Sequence, residues 1–136
     1  MKITVEIAIA AAAENVWSAW TTPGDIVRWN AASEDWQTTN ASVDLRVGGR
    51  FSSRMEARDG SVGFDFCGMF TRVEPPRVIE FRLDDGRVVQ VEFIAREHGV
   101  TVRETFEAEQ DFSTEQQRQG WQAILENFAR YVEGGG

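Results

Sequence analysis

The run VVQVEFIAREHGVTVRETFEAEQDFSTEQQRQGWQAILENFARYV, residues 88–132, decides the fold. Residues 88–95 and 100–108 are rich in β-branched and aromatic side chains, and His98-Gly99 marks a chain reversal between them, so two antiparallel strands are expected. A long helix follows. Its first residue is set by Ser113, whose hydroxyl can accept from the backbone three residues on while Gln116 reaches back in a capping box. Beyond the cap, Trp121, Ile124, Leu125, Phe128 and Val132 recur at intervals of three and four, with Glu126 and Arg130 on the opposite side. That spacing lays one apolar stripe along the helix, and the stripe needs an apolar surface to lie on.

Working outward, that surface is a sheet. Upstream, residues 35–39, 43–46, 49–57, 64–73 and 78–83 have strand composition. Asp59-Gly60 and Asp85-Gly86 are hairpin turns and Pro75-Pro76 is a corner, which makes an antiparallel meander. The inward face of residues 64–70 stays open, because Phe64, Phe66 and Phe70 compete with Cys67 and Met69, and a bulge would reverse part of the strand. At the start of the chain Ile3, Val5, Ile7 and Ile9 alternate with Thr4 and Glu6, the period of a half-buried strand. Val16, Trp17, Ala19 and Trp20 then fall at helical spacing and stop before Pro23. Thr22 followed by Pro23 fits an N-cap and a first helical residue, so residues 23–29 are expected to form a second short helix. The order is strand, two short helices, several antiparallel strands, one long helix: an α+β fold in which a sheet wraps round a helix.

Composition narrows the functional classes. With 136 residues and 42% apolar content the chain suits one domain with a single core, expected over residues 1–133, followed by a flexible glycine tail at 134–136. Lys and Arg number 14 against 22 Asp and Glu, a net charge of −8, the wrong sign for gripping nucleic acid or anionic lipid. Charged residues interrupt every hydrophobic stretch before the roughly 20 residues needed to span a bilayer, so no membrane insertion is expected. One cysteine and one histidine argue against an intrachain disulfide and a metal cage, and the free thiol points to the cytoplasm. No cofactor or metal is called for.

Catalytic signatures are sparse. There is no phosphate-binding glycine loop, no zinc-protease motif, and no cysteine paired in sequence with a base. His98 sits in a turn, where solvation is the expected state, and Cys67 between Phe66 and Gly68 reads as a structural thiol. Glu104 is different: strand alternation puts it on one face with Val100, Val102 and Phe106. Burial there raises a carboxyl pKa unless a cation or donor compensates. Two readings follow, a ligand-binding or acid–base group, or a structural residue at a bulge or paired with Arg54, Arg82 or Arg103. Of the five tryptophans, Trp29, Trp36 and Trp121, with Met55 and Phe66, suit the walls of a small-molecule pocket between sheet and helix. Gln117 and Leu125 on the long helix complete the expected binding set with Glu104. Gly120 costs a helix about 1 kcal/mol relative to alanine, which a need for clearance beneath the helix would explain.

In this order of elements the chain resembles the START-like (SRPBCC, pollen-allergen-like) superfamily, and within it the branch named after the activator of heat-shock protein 90 ATPase. The resemblance rests on Val16-Trp17-Ser18-Ala19-Trp20, Trp29-Asn30, Asp35-Trp36, Gly48-Gly49-Arg50-Phe51, Gly68-Met69-Phe70, Glu74-Pro75-Pro76 and Gly120-Trp121. It implies a helix-grip fold, with a curved antiparallel sheet holding the C-terminal helix over an apolar cavity. The function it implies is binding of a small hydrophobic or amphipathic ligand in that cavity. A polyketide cyclase-like or hydrolase-like enzyme using the same space is the alternative, for which Glu104, Asp65 and Gln117 are the available polar groups. A protein-interaction role, as a homodimer or in contact with a chaperone, is the third expectation; the activator itself resembles this chain only through its C-terminal domain.

Overall fold

The computed structural model describes residues 1–135. Seven strands form one antiparallel sheet: β1 (Lys2–Ile9), β2 (Trp36–Val43), β3 (Arg50–Ala57), β4 (Gly63–Glu74), β5 (Val78–Leu83), β6 (Val88–Arg96) and β7 (Gly99–Glu107). Their order across the sheet is β1-β7-β6-β5-β4-β3-β2, so β2 to β7 are the expected meander and β1 pairs with the last strand. Helices α1 (Ala13–Thr21) and α2 (Pro23–Trp29) follow β1, and α3 (Thr114–Glu133) ends the chain. The sheet curls into a half-barrel that α3 lies within, an α+β helix-grip arrangement. Among the described residues no helix is long and apolar enough to cross a membrane.

Alternation places the core. Ile3, Val5 and Ile9 of β1, Val89, Val91 and Phe93 of β6, and Val100, Val102 and Phe106 of β7 are buried on one face, where they meet Leu125, Phe128, Ala129 and Val132 of α3. Each such side chain contributes about 1.5–3 kcal/mol by leaving water. The exposed edge of β1 is covered by polar side chains of α3: Arg118 donates to the Thr4 carbonyl at 2.9 Å and Gln122 to the Glu6 carbonyl at 3.1 Å. Those bonds satisfy backbone groups that would otherwise template pairing with another chain. At the start of α3, the Ser113 hydroxyl accepts from the Gln116 amide at 3.1 Å and the capping box closes as expected.

Three local expectations change. Residues 35–39 and 43–46 are not two strands: β2 is continuous from Trp36 to Val43, with a register shift between Thr38 and Asn40, and the chain turns immediately afterwards. The Asp44 amide bonds the Arg50 carbonyl and the Gly49 amide bonds the Arg46 carbonyl, so the second apolar run belongs to a tight connection made possible by Gly48 at φ 85°. Thr22 stands at the N-cap of α2 with Pro23 first in the helix, yet its hydroxyl makes no capping bond. Gly134 and Gly135 are not a free tail, because their amides bond the Arg130 and Val132 carbonyls and close α3, with Gly135 at φ 83°. Gly136, the rest of the expected tail, lies outside the described residues. The open face of β4 is also settled. Phe66, Gly68 and Phe70 point inward together, Met69 points out, and the register shift falls only beyond Phe70.

Candidate functional site

Sheet and helix do not fill the space between them. A cavity of about 760 Å³ is bounded by inward positions of β3, β4, β5 and β7, by the ends of α1 and α2, and by Gly120, Trp121 and Ile124 of α3. Its walls are mainly aromatic. Phe51 meets Phe81 edge-on at 4.8 Å between centroids, and Phe66 meets Trp121 at 6.2 Å. Trp29 lies against Trp20 and Phe128, and its indole N–H donates to the Ala19 carbonyl at 2.9 Å, which locks α1 to α2. Trp36 meets Phe64 edge-on at 5.9 Å. Exposed aromatic side chains stand at the rim, Phe64 at 48% and Phe112 at 57% exposure.

Glu104 is the polar feature of this interior. It lines the cavity, is 5% exposed, and sits on a strand paired on both sides, between Val5 of β1 and Val91 of β6, with both registers unbroken. The structural readings of this residue therefore fail. There is no bulge. Arg103 is engaged by Glu6 at 3.1 Å, Arg54 by Glu56 at 3.1 Å and Asp65 at 3.5 Å, and Arg82 is exposed on the other face of β5. No side-chain hydrogen bond reaches Glu104 among the described residues, and no sealed-off side-chain polar atom there lacks a partner, so the carboxyl oxygens meet the open space of the cavity. With nothing to compensate burial, its pKa is pushed up to about 8.

The other expected residues divide. Trp29, Trp36, Met55, Phe66 and Trp121 all line the cavity. Gln117 does not: its amide nitrogen donates to the Glu109 and Phe112 carbonyls, each at 3.0 Å, and its oxygen accepts from the Glu109 amide at 2.7 Å. It organises the backbone linking β7 to α3. Leu125 is fully buried in the core beside Phe128 and outside the cavity wall. Asp65 borders the cavity, but its carboxylate turns outward to Arg54. Gly120 lines the cavity, and a Cβ built there would meet nothing within 4 Å. His98 is almost wholly exposed, and Cys67 shares a 3.3 Å contact with the Ser52 hydroxyl.

Sequence reasoning missed several wall residues. Phe51 and Ser53 alternate with Met55 on β3 and were signalled by the same period that selected Met55. Arg87, held at 2.8 Å by Asp85 and at 3.8 Å by Glu109, joins the turn before β6 to the link before α3 at one end of the cavity. No local pattern announces that pairing. Among the described residues, no three His, Cys, Asp or Glu side chains gather where they would hold a metal ion.

An apolar, aromatic-walled cavity gripped between a curled sheet and its C-terminal helix defines a protein of the START-like class. More narrowly, the chain belongs to the Activator of Hsp90 ATPase homolog 1-like family, whose model matches residues 10–133. It is similar to the AHSA1-like protein of Aeromonas hydrophila, at 55% identity over 100% of this chain and 94% of that one, with a TM-score of 0.94. A Cytophaga hutchinsonii protein is 40% identical over 98% of this chain and 93% of its own, with a TM-score of 0.85. A Nitrosomonas europaea protein shares the fold at 17% identity, covering 100% and 96% of the two chains with a TM-score of 0.87. No curated protein matches the chain.

Proposed function

We propose that this protein binds a small hydrophobic or amphipathic molecule in the cavity, with the aromatic walls burying its body and Glu104 fixing its polar end. One observation carries the reading: a buried carboxyl group without a protein partner opens into an apolar space of about 760 Å³, large enough for a molecule of drug size. Evolutionary accident is a poor account of such a group, since a hydrophobic residue at that position would avoid its desolvation. The reading places the protein in the cytoplasm, as its free cysteine suggests. Native mass spectrometry of the freshly purified protein, beside a thermal-shift screen of lipids, aromatic polyketides and hydrophobic metabolites, is the test. A co-purifying mass or a specific rise in Tm is expected, because a ligand held only by the folded state stabilises it. A clean bare mass with no shift across the screen contradicts the reading.

A second reading, a cyclase-like or hydrolase-like enzyme, draws support from the protonation state of Glu104. With a pKa near 8 the group is an acid at neutral pH and is able to give a proton to a bound substrate. The variant Glu104→Gln separates the two. Lost turnover with retained affinity favours catalysis, and lost affinity without turnover favours recognition. Contact with a chaperone, or pairing with a second copy, is a proposal independent of the cavity; sedimentation and a chaperone pulldown test it.

A further inference from the structure

We propose that the cavity's ligand is an organic cation: an apolar body carrying a protonated amine, with the ammonium group seated on the Glu104 carboxylate. The inference rests on the ligand-binding reading above and names the chemistry of the ligand. Charge complementarity is the first argument. The ionisable side chains bordering the cavity are Asp65, Asp84, Asp85, Glu109, Arg87 and Cys67, besides Glu104 itself. Arg87 is the one cation among them, and Asp85 and Glu109 already hold it. Arg50 holds Asp84 and Arg54 holds Asp65, so among the described residues at this border Glu104 is the one carboxyl without a cationic partner, and an anionic head group would meet that acid with no free positive charge to receive it.

Surroundings supply the second argument. A carboxylate in a low-dielectric wall interacts strongly with an opposite charge brought to it. Rings of Trp121, Phe66 and Phe81 line the same space, and aromatic rings attract ammonium groups brought over their faces. A neutral guest would draw only a hydrogen bond from Glu104. An ammonium draws an ion pair together with the cation–π contribution, which makes the cation the better guest.

Protons balance simply. Near neutrality the free protein holds Glu104 largely as the neutral acid, so seating an ammonium ion requires the carboxyl proton to leave to solvent, one proton per ligand bound. Among the described residues no other ionisable group faces Glu104 from its neighbouring elements: β1 presents Val5, β6 presents Val91, and α3 presents Trp121 and Ile124 to the cavity. The remaining ionisable groups are those bordering the cavity named above.

The test uses three probes on one apolar body, 1-pyrenebutylamine, 1-pyrenebutanol and 1-pyrenebutyric acid, titrated calorimetrically into the full chain. At pH 7 the amine is expected to bind at least tenfold more tightly than the alcohol or the acid. Repeating the titration in buffers of different ionisation enthalpy is expected to reveal close to one proton released per amine bound. Affinity for the amine should rise about tenfold from pH 6.5 to 7.5, while that for the alcohol stays flat. In Glu104→Gln the preference for the amine should vanish while the alcohol still binds. Equal or tighter binding of the acid or alcohol, or an amine preference that survives in Glu104→Gln, overturns the cation proposal and leaves the cavity reading standing. Binding of none of the three overturns the proposal, and a negative lipid and metabolite screen alongside it removes the cavity reading as well.

Discussion

The indole of Trp121 lies flat on the ring of Phe106, with centroids 3.8 Å apart and planes 10° apart. Phe106 stands two residues beyond Glu104 on the same face of β7, and Trp121 projects from the middle of α3. The stack thus sets the gap between the helix and the strand that carries the buried carboxyl. Trp121→Ala removes it, and with it one wall of the cavity. A loss of about 3 kcal/mol is expected from chemical denaturation, in the range for large aromatic truncations, with Trp121→Phe retaining more than half. A cost below about 1 kcal/mol for the alanine variant would show that the stack is incidental.

Stability should depend on pH through Glu104. Its pKa is raised from the ordinary carboxyl value to about 8 by burial, so the folded state holds a proton that the unfolded chain releases. Between about pH 4.5 and 8 the folded protein binds more protons, and stability falls as pH rises through that window. The full loss is of the order of 5 kcal/mol at most. Thermal melts from pH 5.5 to 9 should show the decline in the natural protein and a much flatter profile in Glu104→Gln. Parallel profiles would mean that the carboxyl is not desolvated.

Two substitutions at Gly120 should move in opposite directions. A methyl group there meets no atom within 4 Å, so Gly120→Ala should stabilise α3 by up to about 1 kcal/mol without altering the cavity's ability to bind. Gly120→Leu sends a branched side chain into the cavity and should lower affinity for any guest by tenfold or more while the fold persists. Circular dichroism with a binding assay checks both. A leucine variant that binds normally would place the guest elsewhere.

Gln117 tests a different kind of support. Its amide serves the Glu109 amide and the Glu109 and Phe112 carbonyls, and truncation to alanine leaves those groups without their partner. Gln117→Ala should cost about 2 kcal/mol. Hydrogen exchange should quicken around residues 109–113 before it does elsewhere. Unchanged exchange there would contradict the assignment.

Most of the fold was legible because its signals are periodic. The alternation of Ile3, Val5 and Ile9, the stripe from Trp121 to Val132 and the Ser113–Gln116 cap each follow from local geometry, and the structure contains all three. Where the reading slipped, the deciding interactions were not local. The apolar run after Val43 resembled a strand until the bond between the Asp44 amide and the Arg50 carbonyl turned the chain. Glu104 was legible as an inward carboxyl, but the absence of an arginine beside it depends on which faces Arg54 and Arg82 take in two other strands and on the partner that Arg103 finds on the outer face of β7 itself. Gln117 and Leu125 lie on the helix that borders the cavity, and the sequence does not say which side of the stripe looks into open space and which into the core. The ion pairs of Arg87, joining two connections on either side of two strands, had no signature at all.

Phe70, Ile79, Phe81 and Leu83 belong to the hydrophobic core and to the cavity wall at once. Lineages that retain this scaffold thus have little freedom to retune the guest through those positions, since each change of wall is also a change in the fold's own cohesion. Phe64 and Phe112 carry no such double duty, because they border the cavity from exposed positions. Divergence in what related chains accept is accordingly expected to accumulate first at the rim, with the interior drifting slowly behind it.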